Sequence, residues 1–66
     1  MSIADQIKNS LRERGEQHIY QLVELVYPHE RTQYARNVIW SILRELRASG
    51  VVVKVHHGAY KLAEKT

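Results

Sequence analysis

Gln33, Arg36, Asn37, Ser41 and Arg44 put two carboxamides, two guanidinium groups and a hydroxyl into one short stretch of chain. Such groups read base edges and grip phosphates in a DNA groove: amides pair with adenine, guanidinium with guanine or phosphate, hydroxyls with either. Their spacing matters as much as their types. At about 3.6 residues per helical turn, Ala35, Ile39, Ile42, Leu43 and Leu46 share one face. Gln33, Asn37, Trp40, Ser41, Arg44 and Arg47 lie roughly opposite. No acidic residue interrupts the chain from Thr32 to Arg44. A merely solvated polar face is the ordinary alternative, and the elements around this helix decide between the two.

The helix itself is expected over residues 32–49, ended by Gly50, which supplies a left-handed residue. Upstream, Ser2 and Asp5 have capping-box spacing, and Ile3, Ile7 and Leu11 recur every four residues. A first helix over residues 3–14 follows, stopped by Gly15. Residues 16–19 form a short polar link. YQLVELVY, residues 20–27, has Leu22, Leu25 and Val26 at helical spacing before Pro28. It is assigned as a second helix, with strand as the alternative and Ile19 allowed as a one- or two-residue strand. PHER is a loop or the start of the long helix.

The final segment, residues 51–63, reads as a hairpin turning at His57-Gly58. Glycine accepts positive φ freely and histidine tolerates it better than most residues. That turn places Val55 opposite Tyr60, Val53 opposite Leu62, and Lys54 opposite Lys61 on the outer face, with His56 projecting near the tip. Like charges directly across a ladder cost stability unless an anion lies between them. A phosphate would supply that anion.

With 66 residues the chain makes one domain with a thin core and little room for an enclosed cavity. Its 10 Lys+Arg against 7 Asp+Glu give a net charge of +3, moderately basic and permissive of nucleic acid. There is no cysteine, so disulfides and thiolate zinc sites are excluded and an intracellular setting is expected. No apolar run approaches a membrane span or a signal peptide core. The Met start and polar AEKT end suggest a whole small protein.

Helix, helix, long helix, hairpin is the order of the winged helix-turn-helix family. LRELRASGVVVKVHHGAYKL resembles that family's Leu-x-x-Leu-x-x-x-Gly-Val junction followed by a wing, with Leu43, Leu46, Gly50 and Val51 at the landmarks and Ile39 four before Leu43. The resemblance covers the whole chain in element order and its second half in residue detail. It implies that residues 32–49 are a recognition helix, with Gln33, Arg36, Asn37, Trp40, Ser41 and Arg44 as major-groove or flanking contacts. Lys54, His56, His57 and Lys61 become wing contacts to the backbone or minor groove. Two features depart from the pattern. YPHER is longer than the family's tight turn, and Trp40 is an aromatic where small or polar residues meet bases. Trp40 could stack on sugar or touch a thymine methyl; packing against the first helix or a second copy is preferred.

Other chemistries find little support. His56 and His57 are adjacent and so point to opposite faces of a strand, while His18 and His29 sit in unrelated links; no helical metal-binding pair occurs. Asp5, Glu13, Glu16, Glu24, Glu30, Glu45 and Glu64 have ready roles in caps, links or helix surfaces, and no nucleophile motif or phosphate loop exists. Tyr20, Tyr27 and Tyr34 read as core-edge residues. Binding to single strands or RNA would need exposed aromatics on a platform, which only Trp40 and Tyr34 could supply.

The expectation is thus an α+β, mostly helical winged helix-turn-helix domain spanning residues 1–66: three helices followed by a C-terminal β-hairpin wing. It implies sequence-specific binding of double-stranded DNA by a small transcriptional regulator acting as a homodimer. No catalysis, metal, cofactor or membrane is expected, and the location would be cytoplasmic, or nucleoid-associated in a bacterial, archaeal or viral setting. The competing expectation is a winged-helix protein-protein module without DNA binding.

Overall fold

The computed structural model describes residues 2–30 and 32–63; Met1, Arg31 and residues 64–66, including the expected roles of Arg31 and Glu64, lie outside the described residues. Three helices and three strands follow one another as α1 (Ile3–Arg14), β1 (Gln17–His18), α2 (Ile19–Val26), α3 (Gln33–Ala48), β2 (Val52–His56) and β3 (Ala59–Leu62). The strands form one antiparallel sheet in the order β1-β3-β2. Among the described residues no helix is long and apolar enough to cross a membrane.

Each helix begins where a side chain can satisfy its free amides. The Ser2 hydroxyl accepts from the Asp5 N–H at 3.1 Å, and Thr32 Oγ1 from the Ala35 N–H at 3.2 Å. The Ser2 hydroxyl and the Lys8 ammonium beside the Asp5 carboxylate hold it below the usual carboxylate range. α2 is capped by His18 instead. The Tyr20 N–H donates to His18 Nδ1 at 3.3 Å, while the His18 N–H donates to Gln21 Oε1 at 2.8 Å. α3 ends in a Schellman motif, in which the Val51 N–H donates to the Leu46 carbonyl and the Gly50 N–H to the Arg47 carbonyl. Gly50 takes φ +78°, as the expected helix stop requires. Val51 and Leu46 both pack on the core there, so the end of α3 is also the start of the sheet.

The core joins Ile7 and Leu11 of α1, Ile19 and Leu22 of α2, Ile39 and Leu43 of α3, Val52 of β2 and Tyr60 of β3. The apolar stripe expected on α3 is buried as Ala35, Ile39 and Leu43, with Ile42 and Leu46 half-buried beside it. In α2 the inward residues are Ile19, Leu22, Val23 and Val26, whereas Leu25 is exposed.

Two expectations are corrected. The polar link is not a link. Gln17 pairs with Tyr60 and His18 with Ala59, so this segment adds a third strand at the edge of the sheet beside β3, and Ile19 opens α2 rather than forming a strand. Its polar member is tied down inside: the buried Gln17 Nε2 donates to the buried Ser10 Oγ at 2.8 Å, which removes the penalty of burying both groups.

The second correction is the hairpin register. His56 faces Ala59 across the His57-Gly58 turn, but Lys54 faces Tyr60, Val53 faces Lys61 and Val52 faces Leu62. A bulge between Lys54 and His56 inserts one extra residue into β2. The pairs Val55/Tyr60, Val53/Leu62 and Lys54/Lys61 therefore do not form. A one-residue slip turns every side chain to the other face, which is why Val52 is 1% exposed and Val53 38%. The turn supplies a reason. Gly58 alone has positive φ (+81°), so His57 does not adopt the left-handed form that a twist-matched type I′ turn needs. A turn with positive φ at its second residue only does not match the strand twist as a type I′ turn does, and the hairpin carries a bulge in β2 next to it.

Gly58 also lies against the cap of α2. The Ile19 N–H donates to its carbonyl at 2.7 Å, and a Cβ at this position would fall 2.5 Å from His18 Nε2. Gly58→Ala is accordingly expected to cost about 1–3 kcal/mol, from the positive φ and the displaced cap together. Urea unfolding followed by far-UV circular dichroism reads this cost, and a variant as stable as the parent would mean that the turn relaxes freely.

Candidate nucleic-acid interface

Burying Ala35, Ile39 and Leu43 turns the opposite side of α3 to solvent. Gln33, Arg36, Asn37, Trp40, Ser41 and Arg44 are all exposed there, along with Arg47. The structure thus brings the six helix residues singled out from the sequence onto one open surface. Gln33 Nε2 donates to Asn37 Oδ1 at 3.0 Å, which fixes one amide against the other across a helical turn. Among the described residues the one ion pair is Lys8–Asp5 in α1. Arg36, Arg44 and Arg47 are therefore not neutralised by a carboxylate of the described chain.

The hairpin residues are less unified. Lys54, His56 and His57 are exposed, and Lys61 is half-exposed. Because Lys54 faces Tyr60 and Lys61 faces Val53, the two lysines project from opposite faces of the ladder. The like-charge pair that called for an anion does not exist. His56 ends β2 and His57 lies in the turn; His18, the cap of α2, lies against Gly58 of that turn, and His29 stands apart in the loop before α3.

One part of the surface was not legible in the sequence. Tyr20, expected at the core edge, is 60% exposed. Its ring stacks on His18 with centroids 4.8 Å apart, and the Arg36 guanidinium lies 5.3 Å from its centroid. A cation over an exposed ring is worth about 0.5–1 kcal/mol, enough to bias where Arg36 points. This column joins α2 to α3 and borders a cleft of about 330 Å³ lined also by Val23, Glu24, Glu30 and Thr32. Thr32 Oγ1 donates to Glu30 Oε2 at 2.7 Å, so Glu30 is engaged with the helix cap. Arg36 is distant in sequence from His18 and Tyr20, so no local spacing announces the column. Tyr34, also expected at the core edge, is 67% exposed, whereas Tyr27 does pack against the core. Trp40 is 51% exposed on the outer face, so of the two packing partners expected for it, the first helix or a second copy, the first helix does not bury it.

Compared with known proteins, the chain matches no family model, no curated protein and no solved structure.

Proposed function

We propose that this chain is a winged helix-turn-helix domain that binds double-stranded DNA without catalysis, in a small transcriptional regulator. The observation that carries the proposal is the outer face of α3: two amides, a hydroxyl and unpaired guanidinium groups, all exposed, with no carboxylate before Glu45. The element order and the β1-β3-β2 sheet support the winged layout. In this reading α3 enters the major groove, where Gln33, Asn37 and Ser41 meet base edges while Arg36 and Arg44 meet phosphate or guanine. Lys54, His56 and His57 near the hairpin tip touch the flanking backbone or minor groove. Lys61, on the opposite face from Lys54, contributes to the general positive field rather than to the same grip.

A copy with roughly four to six phosphate contacts binds with a salt slope of about −3.6 to −5.4. Fluorescence anisotropy on random-sequence duplex is expected to show affinity falling by about two to three powers of ten over a fourfold rise in salt. No binding at low salt, even at tens of micromolar protein, would sink the DNA reading and favour the protein-protein module. One copy is a weak reader, so useful specificity needs a homodimer on paired half-sites. A strict monomer, both free and on DNA, would remove that part of the proposal.

A further inference from the structure

From the surroundings of Trp40 we infer that this surface takes an unpaired DNA base, and so prefers duplex with a single-stranded extension over blunt duplex. The inference rests on the DNA-binding reading above and specifies which form of DNA the site accepts.

Half of the Trp40 surface is open, and no ring or cation contact occupies it among the described residues. Tyr20 is different, because His18 and Arg36 already lie on its ring. On a helix, residues four apart are neighbours, so Arg36 and Arg44 stand one turn either side of Trp40, and Arg47 lies a further turn along the same flank. None of the three is paired with a carboxylate of the described residues. An open indole beside Arg44 and Arg47, with Arg36 held on the Tyr20 ring one turn before it, suits an anionic chain bearing flat aromatic rings: the indole stacks, and the cations hold the phosphates along the same flank. Tyr34 is as exposed but lies on the other flank of α3, away from Arg36 and Arg47. In blunt duplex the faces of the bases are covered by their neighbours, except on the outer side of the two terminal pairs, so an unpaired base offers Trp40 faces that the duplex interior does not.

Trp40 is the one tryptophan of the chain, and its emission reports on stacking directly, since a stacked base quenches indole fluorescence. The experiment titrates the full chain with a blunt duplex and with the same duplex carrying a single-stranded extension, following DNA anisotropy and tryptophan emission. We expect the extended duplex to bind about 5-fold or more tighter, the low end of what one stacked base contributes. Emission should be quenched by the extended duplex well beyond any change on the blunt one, and in Trp40→Ala the preference should disappear. Equal binding of both duplexes with unchanged emission would overturn the inference while leaving the duplex-binding reading in place. A preference that survives in Trp40→Ala would overturn it too, by placing the unpaired base elsewhere. Failure to bind either DNA would sink the underlying reading along with it.

Discussion

Replacing Leu43 by alanine is expected to lower the stability of this domain by about 2–5 kcal/mol, the cost of removing a fully buried leucine side chain. Leu43 is 0% exposed and sits in the cluster that α1, α2, α3 and both hairpin strands share. A chain of 66 residues has a total stability of only roughly 3–10 kcal/mol. The loss is therefore comparable to the whole, and a substantial fraction of the variant should be unfolded at room temperature. Far-UV circular dichroism in a urea titration measures it. The adjacent Arg44→Ala is the control, because Arg44 is exposed and makes no ion pair among the described residues. Its effect on stability should stay within about 0.5 kcal/mol. A Leu43 variant that matched the Arg44 one would mean that α3 does not bury the face described above.

The second large effect concerns binding. Arg36→Ala/Arg44→Ala removes two of the guanidinium groups on the outer face of α3 without touching its buried stripe. If both arginines meet phosphate, the salt slope should become shallower by about two. An arginine that meets a guanine edge instead carries about 1–3 kcal/mol of discrimination, so its loss relaxes sequence preference at one position. Either way affinity for duplex DNA at low salt should drop by at least about 10-fold, while the fold survives. Anisotropy at several salt concentrations separates the two cases. Unchanged affinity and slope would remove α3 from the interface and return attention to the hairpin. Tyr20→Leu is a useful companion, since it releases Arg36 from the ring that orients it.

Much of the helical framework was readable from the chain itself. The cap at Ser2, the stop at Gly50 and the stripe of Ala35, Ile39 and Leu43 are local features, whereas Thr32, expected inside α3, proves to be its N-cap. Each depends on residues within a turn or so of one another, and hydrogen-bond geometry constrains them alone. The polar face of α3 followed at once, because burying one side of a helix exposes the other.

What escaped were the features decided between segments. A two-residue strand has no periodicity to detect, so Gln17 and His18 acquire their roles only when β3 lies beside them. The turn at His57-Gly58 was correct, but the bulge at Val55 was not foreseeable from alternation. It shows only in the pairing of β2 with β3, where Val52 rather than Val53 is buried, and with it went the lysine pair. The His18–Tyr20–Arg36 column and the open indole of Trp40 likewise depend on which surfaces α1 and α2 leave uncovered. Sequence by itself determined α1 and α3, because their stops and stripes are local, whereas residues 20–27 kept strand as an alternative until α2 was seen to pack as a helix. Tertiary structure decided the register and the grouping of exposed side chains, because those rest on contacts between distant parts of the chain.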